Sequence, residues 1–181
     1  FKKLRERNIC IDLFLFEKGI KQCPFGFRKA LTSLLIYYPI IKDLELQNSH
    51  SVPILYACLH SSMEKKDVKK IIDNLGSIIK TSKEYTSRME ALEALGEVNQ
   101  SEFLSLTFTS ILIGIEDYQL LNQLGDVGSL VRRQACNSLY SLLKRHPAHF
   151  NSEEINLACS KISFLASDKI DHLRESALTC L

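Results

Sequence analysis

The sequence predicts an all-α chain, an α-solenoid of helix pairs, and three observations carry that prediction. Apolar residues recur at spacings of three and four along most of the chain, with Leu and Ile dominant. Gly (7) and Pro (4) are scarce among 181 residues and Trp is absent, which suits helices better than a turn-rich sandwich. Third, a skeleton of residues repeats. Asp126, Val131, Arg132, Ala135 and Leu139 are matched by Asp168, Leu173, Arg174, Ala177 and Leu181, each 42 residues on. Arg88, Ala91 and Leu95 precede Arg132, Ala135 and Leu139 by 44, and Arg28 with Ala30, Leu31 and Leu35 repeats the Arg-to-Leu spacing of seven.

A period near 42 lies within the roughly 40–47 residues of HEAT and armadillo-like helix pairs. In such a pair the Arg opens the second helix beside a polar turn residue. The Ala lets a neighbouring helix approach, and the Leu, two turns beyond the Arg, points into the stack. The chain then reads as one helical-repeat segment of about nine helices, with approximate repeats 1–45, 50–98, 99–145 and 151–181, the last truncated. Both termini fall mid-pattern, as expected of a piece of a longer solenoid.

Taken in order, residues 2–20 place Ile9, Leu13, Phe16 and Ile20 on one helical face, and Pro24 breaks the pattern. Phe27 to Tyr38 forms a second helix stopped by Pro39. Residues 40–50 read as a loop. Val52 to His60 is nearly all apolar, with Pro53 suited to a first turn. Asp67 to Thr81 carries an inner stripe of Ile71, Ile72, Leu75, Ile78 and Ile79, and Gly76 within it marks close packing. Glu84 to Val98 presents Tyr85, Met89, Leu92 and Leu95. Asn99 with Glu102 reads as a capping box ahead of Phe103–Ile115, which is apolar almost all round, as a helix sandwiched between neighbours should be. Asp117 to Gly125 is a loop. Val127 to Arg145 is the longest helix, ending in Lys144, Arg145 and His146, which suit the negative end of the helix dipole, with Pro147 as a stop. Asn151 to Glu154 caps a helix with Ile155, Ala158, Ile162 and Leu165 inward, and Asp168 to Leu181 opens the next.

The formal net charge of +2 argues against a dedicated nucleic-acid binder. Charge is uneven, with 14 Lys/Arg against 8 Asp/Glu in residues 1–80, and 9 against 13 in residues 81–181. The basic half suits either an acidic partner, through Lys65, Lys66 and Lys69, or solvated outer helix faces. The six cysteines, at 10, 23, 58, 136, 159 and 180, include no C-x-x-C pair. Most lie in apolar helical patterns as small buried hydrophobes, a usage that fits a reducing compartment, cytosol or nucleus. No signal peptide is visible, and no apolar run reaches the ~18–20 residues of a membrane span, so no membrane partner is expected.

Phosphate-loop, dinucleotide-binding, nucleophile-elbow and zinc-helix motifs are all missing, so no enzyme, cofactor or metal is expected. Gly125 and Gly128 at a helix start could hold an anion on free N–H groups. More simply, Gly125 makes a turn, Asp126 caps the helix and Gly128 relieves crowding. His146 and His149 have no third ligand nearby. Arg132 and Arg174 read best as partners of a turn Asp in their own or the next repeat, a ladder along the stack. Alternatively Arg132, with Arg133, projects toward a partner.

Gly125-Asp126-Val127-Gly128, then Val131-Arg132, Ala135 and Ser138-Leu139, preceded by Glu116-Asp117-Tyr118, resembles the C-terminal half of the tubulin-folding cofactor D family. Asp168-Lys169-Ile170-Asp171, followed by Leu173-Arg174, is similar to a second segment of that family, in the same order and at about the same spacing. The resemblance covers roughly residues 100–181. It departs where the family often has Trp before the Val-Arg pair and this chain has Leu130. The resemblance implies a cytoplasmic, microtubule-associated HEAT-like chaperone with no catalytic residue of its own. It would bind β-tubulin and act with tubulin cofactors E and C and an Arf-like small GTPase to assemble or dismantle the αβ-tubulin dimer, stimulating GTP hydrolysis by tubulin. A general helical-repeat adaptor, such as a transport receptor or condensin-type subunit, shares the periodic features but not the Gly-Asp-Val-Gly and Asp-Lys-Ile-Asp segments.

Overall fold

A computed structural model describes residues 65–116 and 127–181. The helices expected within 2–20, 27–38 and 52–60, the loops 40–50 and 117–125, and the turn residues Gly125 and Asp126 lie outside the described residues. Within them the chain is all-helical: six α-helices and one 3-10 turn, with no strand among the described residues.

Helix α1 (Lys65–Thr81) buries Val68, Ile71, Ile72, Leu75 and Ile79, with Ile78 half-buried. That stripe recurs at three and four residues, so one face is apolar and the lysines take the other. Helix α2 (Tyr85–Gly96) differs from its expected stripe. Arg88, Glu90, Ala91, Ala94 and Gly96 are buried along with Leu92 and Leu95, while Tyr85 and Met89 are only half-buried. It is covered on more than one side, and its small residues let neighbours approach.

The capping box expected at Asn99 and Glu102 does not form. Ser101–Phe103 is a 3-10 turn without a side-chain cap, in which Phe103 N donates to Gln100 O at 3.0 Å. The Asn99 and Glu102 side chains are engaged by distant partners instead. Asn99 Oδ1 accepts from Arg145 Nη1 at 2.9 Å, and Glu102 takes the Lys65 ammonium. Helix α3 (Leu104–Ile115) follows, buried on most of its surface.

Helix α4 (Val127–Arg145) has the predicted limits. Phe150, in the connection after Pro147, joins the core by packing 5.4 Å from Phe108 between ring centroids. The capping box before helix α5 (Ser152–Leu165) does form: Glu154 N donates to Asn151 Oδ1 at 2.9 Å and Asn151 N donates to Glu154 Oε2 at 3.1 Å. Ala158, Ile162 and Leu165 are buried, but Ile155 is exposed because no described helix covers it. Helix α6 (Asp171–Cys180) starts later than predicted, leaving Asp168 in the turn before it.

Among the described residues, all substantial helix-to-helix contacts join helices adjacent or next-but-one in sequence. Helices α1, α3 and α5 lie side by side, as do α2, α4 and α6, and α1–α2, α2–α3, α3–α4 and α5–α6 contacts bind the two rows together. The core is the seam between the rows. Close approach is visible at three glycines. A Cβ on Gly76 would lie 3.1 Å from Ser110 Oγ, one on Gly96 2.9 Å from Ser138 Cβ, and one on Gly114 2.8 Å from Leu92 Cδ2 and 3.1 Å from Ala135 Cβ. Gly76 therefore has the packing role its place in the stripe predicts.

Candidate interaction surface

Two of the recurring arginines, Arg88 and Arg174, sit on turns of the same design. Before α2, Ser82 Oγ accepts from Glu84 N at 3.2 Å, and Ser82 O accepts from Arg88 Nε at 2.6 Å. Before α6, Asp168 Oδ1 accepts from Ile170 N at 3.0 Å, and Asp168 O accepts from Arg174 Nη1 at 2.9 Å. In both, a polar side chain closes the turn onto the amide two residues on, and an arginine six residues on clamps the turn carbonyl. Short polar side chains favour such turns because they mimic a backbone carbonyl. The two turns are 86 residues apart, and Asp126 stands between them, 44 after one and 42 before the other.

Arg132 is 1 % exposed, and its Nη2 lies 3.9 Å from Asp168 Oδ2 in the turn before α6. That is a charge contact from α4 to the turn before α6. Arg174 also pairs with Asp171 within its own helix. The same row continues as Ser129 Oγ to His172 Nε2 at 3.2 Å, Ser176 Oγ donating to Asn137 Oδ1 at 2.7 Å, and Cys180 Sγ donating to Cys136 O at 3.5 Å. Asp168, His172, Ser176 and Cys180 are spaced by four, one edge of α6 laid against α4.

The motif residues therefore divide. Gly128, Val131, Arg132, Ala135, Leu173 and Ala177 are buried between helices. Asp168, Asp171 and Arg174 organise the turn into α6. Of the residues considered for partner contact, Arg132 has no surface to offer. Arg133, Lys65, Lys66 and Lys69 are exposed, with Lys65 engaged by Glu102. The lysines lie on α1 and Arg133 on α4, so they belong to different rows.

A surface that sequence reasoning passed over lies between α2 and α4. A groove of about 300 Å³ is lined by Glu93, Gly96, Glu97, Gln134, Asn137, Ser138 and Ser141. It exists because Gly96 and Ser138 bring the helices together below it. Its lining combines two carboxylates with amide and hydroxyl groups that can donate or accept, which suits a polar partner. The repeat itself contained the signal: Glu93 and Asn137, and likewise Glu97 and Ser141, stand 44 apart, two and six residues after Ala91 and Ala135.

Burial pushes the Cys136 thiol up from 9.0 to about 12, with the neighbouring Cys180 adding to the effect. Cys180, half-buried, is raised by the same cause. Cys159 is exposed on α5, contrary to the expectation of a buried small hydrophobe. Among the described residues no group of three or more His, Cys, Asp or Glu is placed to hold a metal ion, and no described helix is long and apolar enough to cross a membrane.

The described part of the chain thus belongs to the all-α class, with a polar surface groove and arginine-clamped turns before α2 and α6. Compared with protein-family models, with curated proteins and with solved structures, the chain gives no match in any of the three.

Proposed function

We propose that the chain is a segment of an α-solenoid of HEAT-like helix pairs that acts as a protein-binding scaffold, and that its partner is β-tubulin. The observation that supports the scaffold is the recurrence of one turn design at Ser82–Arg88 and Asp168–Arg174, joined across the stack by Arg132 and Asp168. Repeats that contact only their neighbours make extended surfaces suited to a large protein partner. The choice of tubulin is supported by the Gly125–Leu139 and Asp168–Arg174 segments, which resemble tubulin-folding cofactor D. On that proposal the chain is cytoplasmic and microtubule-associated. It works with tubulin cofactors E and C and an Arf-like small GTPase on the αβ-tubulin dimer, and any GTP hydrolysis it stimulates is tubulin's own. It has no catalytic residue and needs no cofactor.

One observation favours the general adaptor as a second reading. Gly128, Val131, Arg132, Ala135 and Arg174 are used for packing and turn geometry, which any stacked helix pair requires.

Gel filtration of the chain with purified αβ-tubulin, beside an unrelated helical-repeat protein, separates the two. Selective co-elution is expected, weakened by charge reversal at the exposed Lys66, Lys69 and Arg133. Tubulin that elutes apart from a well-folded helical chain would remove tubulin as the partner and leave the adaptor.

A further inference from the structure

Two cysteines meet across the seam between α4 and α6. Cys180 Sγ lies 3.5 Å from the Cys136 carbonyl oxygen, and Cys136 is fully buried while Cys180 is half-buried. Bond lengths then hold the two Cα atoms within about 9 Å of each other. A disulfide spans about 4.4–6.8 Å between Cα atoms, so a small side-chain and helix adjustment closes the gap. The sulfurs are also near enough for Cys180 to add to the effect of burial on Cys136. The pair belongs to the edge that seats α6 on α4, beside the contacts of Arg132 with Asp168, Ser129 with His172 and Ser176 with Asn137. Those contacts keep the two thiols together.

The surroundings decide which oxidation state the seam favours. Burial penalises a thiolate, which is why both pKa values are raised. A disulfide carries no charge, so the same burial does not oppose it. Cys136 and Cys180 stand 44 residues apart in sequence (180 − 136), and the fold has already brought that long loop together. The raised pKa values slow exchange, because the thiolate is the attacking species. They also make each thiol a poor leaving group, so the bond once formed resists reduction.

We propose that Cys136 and Cys180 form a redox-sensitive staple, a disulfide that oxidation closes between α4 and α6. The oxidant is a low-molecular-weight disulfide of the glutathione type. Cys136 is closed to solvent, so Cys180 reacts first. Its thiolate bonds to one glutathione sulfur and expels the other half as a thiolate. Cys136 then attacks the Cys180 sulfur of the mixed disulfide, and the second glutathione thiolate leaves. The two cysteine protons pass to the two glutathione thiolates. The cysteine pair gives up two electrons and the oxidant takes them. Closed, the staple fixes α6 on α4 covalently; open, the seam is held by the non-covalent contacts alone.

The test follows the native cysteines. The fully reduced chain is incubated in a mildly alkaline buffer of reduced and oxidised glutathione until its mass stops changing. It is then quenched with acid, digested and read by mass spectrometry. A peptide pair linked through Cys136 and Cys180 is expected, while the exposed Cys159 carries glutathione and so shows that the reagent is active. The oxidised chain should melt about 5–15 °C higher, as expected of a bond that closes a loop of this length, and return to its former value with dithiothreitol. Cys180→Ser should remove both the link and the rise, and its helical circular-dichroism spectrum shows that it folds. Glutathione held on Cys180 with Cys136 still a free thiol would show that the sulfurs cannot meet, and would overturn the staple. So would Cys136 linked to any other cysteine, or both thiols left free after Cys159 has reacted.

Discussion

Ala135 offers a direct test of how the rows fit together. It is buried completely in α4 and faces Gly114 of α3, where a Cβ added to Gly114 would lie only 3.1 Å from the Ala135 methyl. Ala135→Leu would add three carbons at that seam. If they found space, burying them would stabilise the fold by about 2 kcal/mol, at about 0.8 kcal/mol per buried methylene. The site has no such space, because Leu92 and the α3 backbone already occupy it. Forcing the side chain in shifts rotamers and backbone, a net cost of about 1–3 kcal/mol. For a domain of this size each kcal/mol lowers Tm by about 2–4 °C, so a fall of about 2–12 °C is expected by calorimetry or circular dichroism. Arg133→Ala, one residue pair away on the exposed face, should change stability by less than about 0.5 kcal/mol and serves as the control. An Ala135→Leu variant with an unchanged or raised Tm would show that α4 does not present this face to α3.

Other consequences follow from single contacts. Gly96→Ala gains helix propensity of about 1 kcal/mol but places its methyl 3.0 Å from Ser138 Cα, a backbone atom. Net destabilisation of about 1–2 kcal/mol in urea unfolding is expected, partly restored by Ser138→Gly. Asn151→Ala removes the cap of α5 and should cost about 1 kcal/mol in the same assay; an unchanged midpoint would contradict the capping box. Of the three described cysteines, Cys159 should react first with a thiol reagent and Cys136 only on unfolding, as read by mass spectrometry of the labelled peptides. The raised Cys136 pKa means the folded chain holds that proton more tightly than the unfolded chain. Its contribution to stability is therefore complete below pH 9 and declines as pH rises toward 12, and Cys136→Ala should flatten the alkaline limb of a stability–pH curve.

Much of this architecture is legible in one dimension because a helix converts spacing into facing. The limits of α4, the inner stripe of α1, the capping box at Asn151 and the burial of Ala91, Ala135 and Ala177 all depend on residues within a few turns of one another. The offset of 42 to 44 identified the arginines as equivalent before any contact was known. Where the reading failed, a distant partner had intervened. Asn99 and Glu102 have the spacing of a capping box, yet Arg145 and Lys65, 46 and 37 residues away in sequence, claim their side chains. Cys159 and Ile155 match a helical stripe but are left outside by the arrangement of neighbouring helices.

Among the described residues, the sequence by itself determined where helices lie and most of their inward stripes, since these follow from local hydrogen bonding and the 3.6-residue turn. Only the tertiary structure decided which way each arginine reaches. Arg88 and Arg174 reach the carbonyls of the turns before their helices, and Arg132 reaches Asp168 in the turn before α6, because the direction of a long side chain depends on where neighbouring segments place their oxygen atoms. The groove over Gly96 and Ser138 belongs to the same category, because a space between helices has no residue of its own in the chain.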